Sequence, residues 1–290
     1  MRLDDLDPAS NVEDLGRGGG GGGGLNLLGF LPLLLGRGLG CGTIGILAIV
    51  AVAFLMFSGG GGLLTGGQAP TTQQGSGGGN VPCDTAEELF ACRVLQSTNQ
   101  TWATIFREQG QRYQLPTLKF YQQGAQSGCG AAQSAMGPFY CPPDRGVYLD
   151  TSFFRELSQR FGASGDFAQA YVVAHEVGHH IQNLTGQAEA VSRAQQTLSR
   201  AEGNAQSVRL ELQADCYAGV WGARNRDRLE PGDIEEGLRA AEAIGDDRLQ
   251  GNSASPESFT HGTSAQRMKW LQRGLQTGDP AQCDTFSGAI

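Results

Sequence analysis

Hydrophobic residues fall into three regimes along the chain. Residues 39–57 (LGCGTIGILAIVAVAFLMF) run without a charge. As a helix they would measure about 28 Å, close to the hydrocarbon thickness of a bilayer, so the pattern predicts one transmembrane helix. An earlier apolar piece, residues 25–35, contains Pro32 and is too short to span, which suits the membrane interface. Residues 58–82 are rich in Gly, Gln, Thr and Ser and carry no charge. That composition forms a flexible tether with a reach of roughly 25–30 Å.

Beyond Cys83 the apolar positions recur at helical spacing, punctuated by caps. Thr85 with Glu88 opens a helix over residues 87–108 that Gly110 ends. Asp166, with Gln169 three residues on, opens another that closes near Leu184, before Gly186. A polar helical stretch over about 189–200 and a helix over about 205–223 follow. Asp233 with Glu236 precedes a helix at 234–244, and Thr263 with Gln266 caps a last one toward Gly274. Residues 118–122 and 146–150 are short β-prone runs bounded by Gly and Pro. The pattern implies an α+β fold, mainly helical with a small sheet.

Charge orients this arrangement. Arg2, Arg17 and Arg37 precede the apolar run and no Lys or Arg follows it until Arg93, which places the N-terminus in the cytoplasm and the bulk of the chain outside. The glycine run at residues 18–24 cannot form a core. The expected organisation is therefore a Gly-rich cytoplasmic segment (1–38), a transmembrane helix (39–57), a linker (58–82) and one folded domain (83–290). The run is longer than a signal-peptide core, which favours an uncleaved anchor. A formal charge of −8 and the lack of any basic stripe exclude a nucleic-acid partner. Gly40, Gly42 and Gly45 match GxGxxG, but inside the membrane run and with no preceding strand, so a dinucleotide site is excluded.

Six of the seven cysteines follow the membrane run, and none forms a CxxC pair. In an exported domain an even number predicts disulfides; buried thiols in a cytosolic protein are the alternative. Cys83 with Cys92 and Cys129 with Cys141 are local pairs. Cys216 with Cys283 would then tie the tail to a core helix.

The chemistry concentrates in Tyr171-Val-Val-Ala-His175-Glu176-Val-Gly-His179-His180. Residues four apart share a helix face, so His175 and His179 can both offer nitrogens to one Zn²⁺, with Glu176 placed as general base. His180 lies about 100° round the helix and suits packing or support. The HExxHxxGxxH pattern fails, because Gln182 and Thr185 stand where it needs Gly and His. Downstream, Glu211 and Asp215 share one helix face among Leu210, Leu212, Ala214, Tyr217, Ala218, Val220 and Trp221. Buried acids need partners, so Glu211 is the third metal ligand and Asp215 the acceptor for a ligating imidazole's free N–H. The plainer alternative is a solvated acidic face.

HEVGHH, ELQADCYAGVW, SFTHGTSAQR and the upstream CGAAQSAMGPFYCP together resemble the neutral zinc metallopeptidases of bacterial membranes, from about residue 80 to the end. More distantly, HExxH followed by ExxxD is similar to membrane-linked gluzincin peptidases, which implies a zincin-like domain. Those relatives carry a late His and Arg resembling His261 and Arg267. The resemblance implies that His261 stabilises the tetrahedral oxyanion, against the alternative of a capping histidine ahead of a helix. It further implies a Zn²⁺ cofactor, a peptide or protein substrate, and a single-pass protein of the bacterial plasma membrane with an extracytoplasmic catalytic domain. The rival reading is a membrane-tethered binding or scaffold protein with a structural or vestigial zinc site. Structural sites are usually closed and thiolate-rich, which favours the enzyme.

Overall fold

A computed structural model describes residues 1–17, 82–250 and 255–290. The transmembrane helix expected at 39–57, the interfacial piece at 25–35 and the linker up to residue 81 lie outside the described residues. Among the described residues, no helix is long and apolar enough to cross a membrane.

The first element is a strand that the hydrophobic pattern does not announce, β1 (Val12–Arg17). Helix α1 (Ala86–Glu108) follows, capped by Thr85, whose hydroxyl accepts the Glu88 N–H at 3.2 Å. Strand β2 (Thr117–Gln122) then runs parallel to β1, with Val12 opposite Leu118, Glu13 opposite Lys119 and Asp14 opposite Phe120. Next come a hairpin of β3 (Gly124–Ser127) and β4 (Gly130–Gln133), then β5 (Phe139–Cys141) and the fully buried β6 (Gly146–Leu149). The main sheet has the order β1-β2-β6-β5, with only the β5–β6 pair antiparallel.

Helices make up the rest: α2 (Ser152–Gln159), α3 (Asp166–Leu184), α4 (Gln187–Gln195), α5 (Arg200–Arg224), α6 (Asp233–Ala243), the single turn α7 (Asp246–Leu249) and α8 (Ser264–Thr277). The fold is α+β, mainly helical with a small sheet. Helix α5 begins ahead of the expected position because Ser199 and Glu202 form a capping box, and Thr263 with Gln266 forms the one expected for α8.

Three expectations need correction. Residues 1–17, expected to belong to a segment separate from a domain starting at Cys83, are packed into it: Met1–Gly19 belongs to the same compact unit as Asn80–Ile290. Burial of Leu3 and Ala9 and the pairing of β1 with β2 hold it there. Second, Asp166 and Asp233 do not cap their helices; each is the first helical residue after a glycine. Their carboxylates instead meet the Met1 amino group, at 2.6 Å for Asp166 and 3.2 Å for Asp233, while Glu236 accepts the Phe167 N–H at 3.2 Å. Third, between the two β-prone runs, where the hydrophobic pattern announces no strand, lie β3, β4 and β5. Gly, Ala, Gln and Ser have little intrinsic strand preference. Partners outside the hairpin supply what propensity lacks: Asp150 accepts from the Gln123 N–H and the Ser134 hydroxyl, and Asp144 accepts from the Gly128 N–H.

The three disulfides pair as anticipated: Cys83–Cys92, Cys129–Cys141 and Cys216–Cys283. Helix α3 runs through the core, with the Phe167 ring stacked on Trp221 of α5 at 5.9 Å. Helices α5 and α8 approach so closely that a Cβ on Gly274 would lie 2.0 Å from the Cys216 carbonyl oxygen, so only glycine fits there. Helices α3, α5 and α8 thus form a tight frame, and the site is built on it.

Candidate metal centre

Helix α3 presents His175 and His179 on successive turns, with ring centroids 4.8 Å apart and planes at 89°. Gly178, between them, faces α5. A Cβ there would lie 3.0 Å from both the Cα and the carbonyl oxygen of Ala214, so the missing side chain is what lets the two helices meet. At that crossing Glu211 reaches across: its Oε2 lies 3.2 Å from His175 Nε2 and its Oε1 lies 3.4 Å from His179 Nε2. The sequence-derived trio is brought together, with its ligand atoms all within 4.8 Å of one another.

The other ring nitrogens decide the tautomers. His175 Nδ1 lies 2.8 Å from Asp215 Oδ1, and His179 Nδ1 lies 2.9 Å from Gln182 Oε1. Gln182 cannot be turned over, because its Nε2 donates to the Leu210 carbonyl at 2.7 Å and to Gln213 Oε1 at 3.1 Å. Both partners therefore only accept, so each Nδ1 carries a proton and Nε2 is the ring nitrogen that faces Glu211. Asp215 is held in turn by the Tyr171 hydroxyl at 2.6 Å and by Arg267, whose Nε and Nη2 both donate at 2.9 Å. Asp215 and Arg267 are almost wholly buried.

Electrostatics favour a cation here. Burial works against charge on His175, yet the Asp215 and Glu211 carboxylates pull it up to about 9. Burial also opposes protonation of His179, and Glu211 raises it. Glu211 itself lies well below the usual carboxylate range, because the two imidazoles outweigh its burial. Surroundings that draw protons onto both rings also draw a dication. An ion about 2 Å from each of two ligands at a tetrahedral angle would separate them by roughly 3.3 Å, and the two His–Glu spacings, each to a different carboxylate oxygen, are of that size. A two-histidine, one-carboxylate donor set fits Zn²⁺ with a fourth direction open.

The three donors line a cavity of about 800 Å³, together with Glu176, Tyr140, Phe153, Val172 and His261. Burial pushes the Glu176 carboxyl up, the two imidazoles pull it back, and Glu211 raises it further; the net direction is upward. His261 is half exposed on the wall. Its Nδ1 lies 3.3 Å from Asp246 Oδ1, and Asp246 Oδ2 accepts the N–H groups of Thr260, His261 and Gly262 at 2.8, 2.6 and 3.0 Å. Among the described residues no hydrogen bond engages His261 Nε2, and the residue lines the cavity. His180 is not one of the donors and supports the cavity wall: its Nε2 donates to the Gln114 carbonyl at 2.6 Å, its Nδ1 accepts from Tyr140, and burial lowers it to about 4.

The family described as "Putative neutral zinc metallopeptidase" matches residues 1–286 of this chain. The chain belongs to that family. It is 52% identical over 214 residues to the uncharacterised protein YpfJ of Escherichia coli, covering 72% of this chain and 75% of the relative. It is 45% identical over 220 residues to an uncharacterised protein of Mycobacterium tuberculosis, covering 70% and 73%. No solved structure matches. The family name implies zinc, and the donor set just described fits it.

Tyr171, Gln182 and Asp246 were not among the expected site residues. Two of them carried a signal, since Tyr171 stands four residues before His175 and Gln182 three after His179, both on the histidine face. Asp246 carried none. It reaches His261 only through the fold.

Proposed function

We propose that this family member hydrolyses peptide bonds, using Zn²⁺ held by His175, His179 and Glu211. The observation that carries the reading is the Glu211 carboxylate bridging the two imidazole Nε2 atoms at 3.2 and 3.4 Å, with Glu176 beside it at the cavity. Zinc, when bound, supplies a Lewis acid and brings the pKa of water toward neutrality. Glu176 takes a proton from the attacking water and passes it to the leaving amine. Burial suits it to this, since a carboxyl pushed upward holds the proton between the two steps. His261 donates from Nε2 to the oxyanion that develops on the carbonyl. Asp215 and Gln182 hold the imidazoles in the tautomer that leaves Nε2 free.

A purely structural metal site is the second reading. Structural zinc sites are closed and usually thiolate-rich, whereas the six described cysteines are all in disulfides and the donor trio opens on a cavity. Three disulfides also support a place outside the cytoplasm, and the bilayer is the partner proposed for residues 39–57.

The test is Glu176→Gln in the full chain. Zinc content stays near that of the wild type and cleavage of a peptide library is lost. Cleavage retained by the zinc-loaded variant would end the proposed role of Glu176, and a wild-type chain that binds zinc but cleaves nothing would favour the structural reading.

A further inference from the structure

Residues 1–17 are built into the unit that carries the metal centre. β1 takes the outer edge of β2 in parallel register over Leu118, Lys119 and Phe120, and the Leu118 N–H donates to the Asn11 carbonyl at 3.0 Å. Asn11 Nδ2 donates to the Pro116 carbonyl, and Asn99 Nδ2 to Asn11 Oδ1. Leu3 is 2% exposed and Ala9 is 5% exposed. Ion pairs join Asp4 to Arg93, Asp5 to Arg228 and Glu13 to Lys119, so the segment is fastened to α1, to β2 and to the stretch after α5. Surface ion pairs contribute little singly. The buried leucine and the strand ladder contribute more: removing β1 would leave a row of unpaired backbone groups on β2.

A strand ladder cannot form through a bilayer. We infer that residues 1–17 lie on the same side of the membrane as the metal centre, so that the chain between Arg17 and Pro82 crosses any bilayer an even number of times, zero included. This replaces the cytoplasmic N-terminus and single crossing expected from charge. Of the three arginines behind that expectation, Arg2 belongs to the folded unit and Arg17 ends β1, which leaves Arg37 alone to bias the orientation. The conclusion is independent of peptidase activity. It also holds if the strand comes from a second copy, since that copy must reach β2 from the same side.

The test uses the full chain in its membrane, with Cys41→Ser as background and a single cysteine at Asp7 or at Glu189, both exposed. A membrane-impermeant maleimide applied to intact cells reaches both positions or neither. Labelling of one with protection of the other overturns the inference. A second arm places cysteines at the register partners Glu13 and Lys119, oxidises intact cells and blocks free thiols before lysis. A cross-link, within one chain or between two, is expected as a shift in non-reducing migration. Its absence in cells overturns the inference, whether or not the cross-link forms after detergent extraction.

Discussion

Gly178 and Ala214 mark the point where the two metal-bearing helices touch: a Cβ on the glycine would stand 3.0 Å from the Ala214 Cα. The distance from Glu211 to the histidines depends on that contact. Gly178→Val should push α5 outward at a cost of about 1–3 kcal/mol in overpacking. Zinc bound per chain should fall well below that of the wild type while most of the fold survives. Metal analysis beside a circular-dichroism melt checks both.

Asp215 restrains His175 and neutralises Arg267 at once. Asp215→Asn keeps the shape and removes the charge. Zinc affinity should drop about 10–100-fold through the loosened imidazole, and stability should fall by about 3–5 kcal/mol because the buried guanidinium loses its partner. Gln182→Ala should lower zinc affinity with a smaller loss of stability, about 1–3 kcal/mol for the buried hydrogen bonds left unmade, since Gln182 neutralises no charge. Chelator competition and urea midpoints separate the two effects.

Asp246 gives a pH signature. Burial alone would raise its carboxyl, but hydrogen bonds from the His261 ring and from the His261 and Thr260 N–H groups outweigh it and hold the pKa at about 2, against 3.8 unperturbed. A carboxyl depressed in the folded state stabilises the protein above its unfolded pKa, and that stability is lost as pH falls from about 4 to about 2. The amount at stake is about 2 kcal/mol. Melting temperature followed from pH 5 to pH 2 should fall less steeply in Asp246→Asn than in the wild type. At neutral pH the variant should retain zinc and lose turnover, because the loop that carries His261 is no longer held.

The N-terminal strand can be tested for stability as well as for sidedness. Leu3→Ala should cost about 2–5 kcal/mol, the usual penalty for a buried leucine. Removing residues 1–17 should lower the midpoint further and promote association through the exposed edge of β2. Light scattering and thermal midpoints of both variants against the full chain give the answer. A chain starting at Cys83 is accordingly a poor surrogate for the whole.

Helical periodicity by itself determined which residues share a face: His175 with His179, and Glu211 with Asp215, because a spacing of four closes about one turn wherever the helix sits. It also located the long helices, whose apolar stripes are local patterns. Disulfide partners were legible for a similar reason, since two of the pairs are close neighbours in sequence. Only the tertiary structure decided that α5 crosses α3 at Gly178 and so delivers Glu211 to the histidines, and that Asp246 stands behind His261. It likewise sent Asp233 and Glu236 away from the capping box that their spacing suggests, toward the Met1 amino group and the Phe167 N–H. β1 was illegible because NVEDLGR has little strand preference; it is a strand because β2 offers an open edge. Such choices depend on which surfaces meet across large sequence separations, and no local window of the chain contains that information.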